Sequence, residues 1–545
     1  MLNAGKAAAF AGAGMLLGLG LASQAGAAER APAGGDRPAI VLEDTTAKCG
    51  ITWQRLPRDK AAIQPGVVYC GWQFDAFLFD ADGDGHADLV SPSHHANRSA
   101  PGGIWLGRGD GTFGRNLMDD LPVTDEKGKA WIACAYGVGV DINADGRLDF
   151  YVAERGGSYI NQGVRGQGAK RTVEFKRSLP AGFRTCIFSD FNRDGKLDLA
   201  TNPVLLLGAG KGTTPKDWKA HAQATELFKK FSGPAHYGAL HQGVSADFDR
   251  DGDVDLLASP SLIRKGKTGP RPRVLLFVND GKANLTESAE ELGVTAGPPQ
   301  GPLVAADLDN DGGFDILAAG RGDGTDNLIR RVALYANQGD GKFKALDAAE
   351  RGLRIWRSAD YNIVYCSAIA ADLDNDGLLD VVLGDALKGY RVFRNLGGFR
   401  FRQLAVLRPA ARMARPAAAD LNADGLMDLV CNEGPVGMTV YMNRTANANG
   451  WLEVAVRGVG ANPSGVGALV EVFEAGKLGD RSACVGLQHV TAENDNHVPL
   501  APHFGLGRRA SVDVRVTLPT GQALTAKGLK ARTRATADFV AGAFR

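Results

Sequence analysis

Short apolar runs alternate along most of the chain with loops rich in aspartate, asparagine and glycine. Runs such as Phe150–Val152, Ile316–Leu317 and Val381–Leu383 lie directly after these loops. They show no polar alternation, which is typical of strands buried on both faces. Further apolar runs precede the loops, for example from Ile132 to Val140 and from Ser367 to Ala371. The pattern therefore predicts that each acidic loop joins the two strands of a hairpin.

The acidic loops share one nine-residue pattern, D-x-[DN]-x-D-G-x-x-D, which occurs seven times between residues 80 and 428. The first aspartates of successive copies lie on average about 57 residues apart, which is room for three or four strands in each unit. In several units a third apolar run, such as Ile104–Leu106, precedes a glycine-rich turn. Seven units of this kind predict an all-β fold, a seven-bladed β-propeller with one acidic loop in each blade.

The spacing of the acidic residues predicts a metal site in each loop. The side chains at positions 1, 3 and 5 direct oxygens to one metal position, and glycine at position 6 permits the turn. Position 7 offers its backbone carbonyl, and the side chain at position 9 completes the coordination shell. A flexible site made only of oxygens favours Ca²⁺ over Mg²⁺, so we expect up to seven Ca²⁺ ions. The predicted metal residues are Asp80, Asp82, Asp84, His86, Asp88, Asp141, Asn143, Asp145, Arg147, Asp149, Asp190, Asn192, Asp194, Lys196, Asp198, Asp247, Asp249, Asp251, Asp253, Asp255, Asp307, Asp309, Asp311, Gly313, Asp315, Asp372, Asp374, Asp376, Leu378, Asp380, Asp420, Asn422, Asp424, Leu426 and Asp428.

An EF-hand begins with the same nine residues, but it requires a bidentate glutamate at position 12 and a helix on each side. Apolar strand-like runs follow the loops here, and none of the residues at position 12 is acidic. Those residues are Ser91, Val152, Thr201, Ala258, Ala318, Leu383 and Cys431. The sequence therefore favours hairpin loops over EF-hands.

Charge and composition narrow the function classes. The chain has 62 Lys and Arg residues against 61 Asp and Glu residues, so no overall field attracts nucleic acid. Residues 1–27 have the pattern of a secretory signal, with Lys6 before an apolar run and small residues at the expected cleavage site. No later run is long enough to span a membrane. We expect an exported protein, periplasmic or extracellular.

The domain organisation follows from where the acidic loops begin and end. Residues 28–48 are expected to be an N-terminal extension, and residues 49–443 the propeller. Apolar residues at helical spacing predict a helical insertion in the third blade, at about residues 202–242. Residues 444–450 read as a linker. Strand-like segments separated by glycine predict a small β-sandwich domain over residues 451–540.

The seven loops, with the apolar runs and glycine-phenylalanine turns after them, resemble the FG-GAP/VCBS repeats of integrin α-subunits and exported bacterial proteins. The C-terminal region is similar to ASPIC/UnbV domains, as in relatives of cartilage acidic protein, through segments such as Gly465–Ala468 and His503–Gly507. Residues 488–502 depart from the glycine-rich segment of that family. The resemblance implies a calcium-stabilised propeller that recognises a partner.

No G-x-S-x-G, H-E-x-x-H, C-x-x-C, P-loop or dinucleotide-binding pattern occurs in the sequence. The favoured hypothesis is a non-catalytic recognition or adhesion scaffold for a glycan or an extracellular protein. The alternative is an exported polysaccharide lyase or glycan hydrolase on the same propeller, which a convergence of His, Tyr and Arg in the central depression would favour. A purely structural role at the cell surface is a third hypothesis.

Overall fold

The computed structural model describes seventeen stretches of the chain, and the predicted signal peptide, residues 1–27, lies outside them. They belong to one compact unit, Pro38–Arg545. The described residues are 39–51, 76–91, 103–117, 137–153, 157–168, 171–178, 185–231, 242–259, 274–295, 301–321, 330–339, 341–354, 365–385, 389–407, 416–432, 438–493 and 500–545.

Seven antiparallel sheets, six with four strands and one with five, are each consistent with a propeller blade and form most of the structure. We number them 1 to 7 in chain order, and the acidic loops take the same numbers. Sheets 1 to 3 contain Phe77–Phe79, Asp88–Ser91, Gly103–Gly107 and Phe113–Asn116; Gly137–Val140, Asp149–Val152, Gly157–Arg165 and Thr172–Ser178; and Ile187–Ser189, Asp198–Thr201, Val204–Leu207 and Lys219–Ala220. Sheets 4 to 6 contain Gln242–Ala246, Asp255–Ser259, Leu275–Asn279 and Leu285–Glu287; Leu303–Ala306, Asp315–Arg321, Arg330–Asn337 and Phe343–Leu346; and Tyr365–Ala371, Asp380–Asp385, Gly389–Asn395 and Phe401–Leu407.

Sheet 7 takes its outer strand from the other end of the chain. Its first three strands are Pro416–Ala419, Asp428–Asn432 and Met438–Asn443, and Leu42–Asp44 completes it with Leu42 opposite Asn443. Part of the segment expected to be an N-terminal extension is therefore a strand of the last sheet. This strand pairing joins two segments that lie about 400 residues apart in sequence, and it connects the chain just before sheet 1 to sheet 7.

The seven sheets pack in a closed order. Buried residues of neighbouring sheets form shared clusters, for example between sheets 5 and 6 and between sheets 6 and 7. One such cluster joins Leu89 of sheet 1 to Val430 of sheet 7. The central strands are buried on both faces, as the unbroken apolar runs predicted, and Leu256 and Leu257 have no exposed surface.

The helix of the third unit is shorter than the sequence indicated. It spans Ala222–Phe231, whereas the residues before it form two strands of sheet 3. Residues 232–241 lie outside the described ranges. The helix packs on the neighbouring sheet, because Phe228 contacts Phe277 with ring centroids 5.4 Å apart and Gln223 bonds the amide and the carbonyl of Leu285.

Two further four-stranded sheets form the C-terminal region, which we call the C-terminal sheets. One strand pair, Gly450–Arg457 with Thr533–Asp538, is parallel. Buried and partly exposed residues alternate along Gly450–Arg457, as expected for a sheet with one face in a core. The strands are His503–Gly507, Gly450–Arg457, Thr533–Asp538 and Ala543–Phe544 in one sheet, and Cys484–His489, Leu469–Glu474, Ser511–Thr517 and Ala523–Lys530 in the other.

Candidate metal centres

Each acidic loop lies in a hairpin between the first and second strands of its sheet, which confirms the sequence prediction. In loop 1 the first strand ends at Phe79 and the second begins at Asp88, the ninth residue of the pattern. The same arrangement holds in the other six loops. No flanking helix is present at these loops in the described residues, so the EF-hand alternative is excluded by geometry as well as by sequence.

The first aspartate of each loop is held by backbone amides of its own loop. In loop 1, Asp80 Oδ1 accepts from Gly83 N at 2.7 Å and Asp80 Oδ2 accepts from Gly85 N at 2.9 Å. Gly85 has a φ of 87°, a conformation that favours glycine, which explains the glycine at position 6. The amide of the position-6 glycine donates to the first aspartate in all seven loops.

The ninth aspartate has a structural role that the spacing alone did not indicate. In loop 4, Asp255 Oδ2 accepts from Phe248 N at 2.9 Å, and its Oδ1 accepts from Asn279 N, at the end of the third strand, at 2.9 Å. Both bonds have counterparts in every loop. Each ninth carboxylate therefore links the start of its loop to the third strand through two backbone amides.

Three carboxylates form an acidic cluster in each of the four loops that carry aspartate at positions 1, 3 and 5. The clusters join positions 1, 3 and 5 in loops 4 and 5, and positions 1, 3 and 9 in loops 1 and 6. Within each cluster the carboxylate oxygens lie within 4.8 Å of one another. Several carboxylate oxygens of these loops are buried without a hydrogen-bond partner, namely Oδ1 of Asp247, Oδ1 of Asp253 and both oxygens of Asp82 and Asp374. The clusters are Asp80, Asp82 and Asp88; Asp247, Asp249 and Asp251; Asp307, Asp309 and Asp311; and Asp372, Asp374 and Asp380.

Buried carboxylate oxygens without donors are costly unless a cation neutralises them. The donor set, all oxygen, is the set that a hard divalent cation prefers. The residues present therefore fit a calcium ion. In two of the three loops with asparagine at position 3, the side-chain amide donates to the neighbouring carboxylate, from Asn143 Nδ2 to Asp145 Oδ2 at 3.0 Å and from Asn422 Nδ2 to Asp424 Oδ2 at 2.9 Å.

Burial raises the pKa of the first aspartate in every loop, and neighbouring carboxylates raise it further. The pKa rises to about 7 for Asp247 and Asp307 and to about 8 for Asp372. For the ninth aspartate, burial raises the pKa of Asp149 and Asp428 to about 8. Without a cation these groups favour protonation, because their negative charges are poorly hydrated and repel one another.

Basic side chains approach some of the loops. Arg171 Nε lies 2.5 Å from Asp82 Oδ2 in loop 1, without hydrogen-bond alignment. The guanidinium of Arg394 contacts Asp374 in loop 6 and lies 3.7 Å from Asp376. Loop 4 is the most acidic, because Asp253 adds a fifth aspartate at position 7. Burial raises the pKa of Asp253 to about 7, and the charges of the aspartates at positions 1, 3 and 5 add to the rise.

Hydrogen bonds join the loops to the neighbouring sheets in a closed circle. At five of the seven junctions, an asparagine at the end of the third strand, or within that strand in sheet 2, donates through Nδ2 to the second residue of the preceding loop. In sheet 5, Asn337 Nδ2 donates to Phe248 O of loop 4 at 2.9 Å and to Phe314 O of its own loop at 3.1 Å. The five asparagines are Asn161, Asn279, Asn337, Asn395 and Asn443.

Backbone amides complete the circle at the other two junctions. Gly212 N donates to Asn143 O between sheets 3 and 2, and Gly111 N donates to Leu421 O between sheets 1 and 7. The sequence contained a signal for the asparagines, since Asn279 and Asn337 each stand before a turn that contains glycine. Pattern analysis centred on carboxylates missed them.

Comparison with known proteins agrees with the repeat assignment. The model of the FG-GAP-like repeat matches residues 141–201, 247–318, 307–383 and 372–431. A T-cell immunomodulatory protein homolog of Plasmodium yoelii yoelii is 28% identical over 132 residues, 22% of this chain and 19% of that protein. Cartilage acidic protein 1 of Xenopus tropicalis is 25% identical over 189 residues, 32% of this chain and 28% of that protein. The match thus spans less than a third of either relative.

Among solved structures, the BP39L lectin from Burkholderia pseudomallei aligns over 73% of this chain and 99% of its own, with 12% identity and a TM-score of 0.36. A likeness this slight carries no argument about function. Among the helices of the described residues, none is long and apolar enough to cross a membrane. The chain contains FG-GAP-like repeats and is distantly homologous to cartilage acidic protein 1 and to the T-cell immunomodulatory protein homolog.

Proposed function

We propose that this protein is an exported, calcium-binding seven-bladed β-propeller that acts as a non-catalytic recognition scaffold for a glycan or protein partner. The observation that carries the proposal is the closed circle of seven acidic hairpin loops. In four of them, three carboxylates converge within 4.8 Å. Such clusters are unfavourable unless cations bind, and cations held at every junction would stiffen the ring.

Calcium, when bound, would supply positive charge that neutralises the aspartates at positions 1, 3 and 5. In loop 4 these residues are Asp247, Asp249 and Asp251. The amide of Asp253 donates to Asp251 Oδ1 at 3.0 Å, which fixes the rotamer of Asp251. The ninth residue, Asp255, already accepts two backbone amides and thereby fixes the shape of the loop.

The recognition role rests on the resemblance to repeat proteins that bind partners and on the predicted signal peptide. The ASPIC/UnbV assignment of the C-terminal sheets is part of the same proposal. Of the titratable side chains, the described lining of the small central cavity includes His489 and Glu493. That set gives the lyase or hydrolase alternative no specific support, so this alternative enters as an outcome of the test.

Calcium binding is tested first. Isothermal titration and metal analysis of the secreted form should show several Ca²⁺ ions per chain, and at most seven. The variant Asp251→Asn should lose one ion. Asp280→Asn is the matched control, since Asp280 lies in an exposed turn of the same sheet, outside the loops. A chain that binds no Ca²⁺, or equal stoichiometry in both variants, contradicts the proposal.

Recognition is tested with the calcium-loaded protein on a glycan array and in a parallel polysaccharide-cleavage screen. Selective retention of one glycan class without product formation supports a binding scaffold. Release of shortened or unsaturated sugars would instead identify the enzyme alternative. If neither assay gives a signal, capture of extracellular proteins in calcium and in EGTA decides whether the partner is a protein.

A further inference from the structure

The C-terminal sheets lie directly on the acidic loops. Arg193 Nε, from loop 3, donates to Pro519 O at 2.8 Å, and the amide of Asp247, the first residue of loop 4, donates to His489 Nε2 at 3.2 Å. In loop 7, Arg534 bonds Asp420 Oδ2 at 3.0 Å. The loops thus carry the chain's own C-terminal region.

Loop 6 makes the densest set of these bonds. Asp374 O accepts from Asn447 Nδ2 at 2.7 Å and from Asn449 Nδ2 at 2.9 Å. Asn375 O accepts from Gly507 N at 2.8 Å. A Cβ on Gly505 would lie 1.9 Å from Asp372 Oδ2. The strand therefore approaches the loop so closely that only glycine fits.

Two histidines of the C-terminal sheets contact loops 4 and 6. His489 Nδ1 lies 3.1 Å from Gly467 O, which leaves Nε2 to accept the amide of Asp247. His503 Nε2 lies 2.9 Å from Asn375 Oδ1.

The atoms that hold the C-terminal sheets on loops 4 and 6 are mainly backbone atoms at loop positions 1, 3 and 4. Their placement depends on how tightly the loop closes. When the cation is removed, the three or four negatively charged carboxylates of a loop repel one another, and this repulsion would expand the loop. The bonds to Asp374 O and Asn375 O would then lose their geometry, since a hydrogen bond weakens steeply with misalignment.

We infer that the cation-filled loops are the docking platform of the C-terminal sheets, so that calcium and docking stabilise each other. This inference rests on the proposed calcium binding. The ligand is a divalent cation, and the docked partner is formed by the chain's own residues 447–493 and 500–534. Binding free energies couple reciprocally, so loss of calcium must weaken docking and loss of docking must weaken calcium binding.

The docking also places residues at the centre of the ring. Ala492 and Glu493 pair with Phe188 and Ile187 as a fifth strand on the inner edge of sheet 3. Glu493 Oε2 accepts from Ser245 N at 2.7 Å and from Ser245 Oγ at 2.9 Å in sheet 4. The C-terminal sheets are therefore anchored both on the loops and at the ring axis.

Hydrogen–deuterium exchange of the full chain tests the inference, with calcium titration run in parallel. In EGTA, a peptide that covers His503–Gly507, the edge strand whose Gly507 amide donates to loop 6, should exchange about tenfold faster or more, within the range of typical coupling between sites. Strands Gly450–Arg457 and Leu469–Glu474, each between two other strands of the C-terminal sheets, should keep their protection if the sheets undock without unfolding. Calcium that binds by titration but leaves the protection of His503–Gly507 unchanged overturns the inference, whereas absence of calcium binding overturns the proposed function.

Two matched variants keep the test decisive if chelation unfolds the whole chain. Asp376→Asn and Asp84→Asn each remove one charge at position 5, in loop 6 and in loop 1. The two aspartates have similar settings, since Arg394 lies 3.7 Å from Asp376 and Arg171 lies 3.8 Å from Asp84. In saturating calcium, only Asp376→Asn should speed exchange in His503–Gly507. Equal effects of the two variants contradict the inference.

The reciprocal test starts from the other side of the interface. Replacing Asn447 and Asn449 together with alanine removes two neutral donors to Asp374 O and leaves every loop carboxylate in place. Coupling predicts that the affinity for one Ca²⁺ ion falls about fivefold or more. An unchanged calcium isotherm in this double variant contradicts the coupling.

Discussion

The ninth aspartate of a loop should stabilise the fold even when no calcium is present, and Asp255 offers the clearest test. Its side chain is fully buried. Its two oxygens accept the amides of Phe248 and Asn279, each at 2.9 Å. Asn279 in turn donates through Nδ2 to Phe191 O of loop 3 at 2.8 Å. The carboxylate therefore supports both its own hairpin and a contact to the next sheet.

Asp255→Ala would leave two buried amides without acceptors. Each such amide costs about 1–3 kcal/mol, so the free energy of unfolding should fall by about 2–6 kcal/mol. Asp251→Ala is the control, because Asp251 is also a predicted calcium ligand of loop 4 but is exposed, and it accepts only a loop amide. In EGTA its removal relieves repulsion between carboxylates, so stability should be unchanged or slightly higher.

The assay is urea unfolding of both variants and the unaltered chain, in EGTA and in saturating calcium at pH 7. We expect Asp255→Ala to be destabilised in both solutions and Asp251→Ala only in calcium. The reasoning is refuted if Asp255→Ala costs no more than Asp251→Ala in EGTA, since the ninth carboxylate would then act only as a calcium ligand.

Three further predictions follow from the loops and their links. In EGTA, the melting temperature should fall as the pH rises from 5 to 8, because burial raises the pKa of Asp149, Asp372 and Asp428 to about 8 in the folded chain, against about 3.9 in the unfolded chain. The stabilisation that protonation of these groups gives is complete below the unfolded pKa and is lost as the pH passes the folded pKa. Calcium binds the deprotonated loops, so the gain in melting temperature on adding calcium should widen as the pH rises. A gain that does not widen with pH contradicts the assignment. Asn337→Ala should lower the free energy of unfolding by about 1–3 kcal/mol, because two buried carbonyls lose their donor; urea unfolding measures it, and equal stability to the unaltered chain argues against the link. Deletion of the chain through Asp44 should lower the melting temperature and promote self-association in size-exclusion chromatography, because the open edge of sheet 7 is exposed; a monomer of unchanged stability contradicts a closing role for this strand.

Local features of the molecule were predictable from local sequence. The nine-residue pattern and the apolar runs beside it placed all seven loops in hairpins, because a short run without polar alternation is compatible with a doubly buried strand. The strand Leu42–Asp44 could not be predicted in this way. It is three residues long and mostly exposed, and its partner is about 400 residues away in sequence.

Interactions between loops were also outside the reach of pattern analysis. Position 9 carries aspartate in every copy, and the sequence does not distinguish a carboxylate that binds an ion from one that accepts two amides. The same holds for His489 and His503, whose roles depend on the C-terminal sheets lying on loops 4 and 6. In four loops, three of the predicted calcium residues lie close together, whereas the elements that contact the loops were not foreseen.

The asparagine links divide the ring into two arcs, and this division matches the docking of the C-terminal sheets. Asparagine bridges join sheets 3 to 7 in an unbroken series and join sheet 2 to loop 1. At the other two junctions, a single backbone amide takes their place. The C-terminal sheets bond loops 3, 4, 6 and 7, all within the longer arc. An ion that enters a loop of that arc would order loops that asparagine bridges link to the docking surface. Loops 1 and 2 join the arc through backbone-amide hydrogen bonds instead, so we expect ions there to influence docking least.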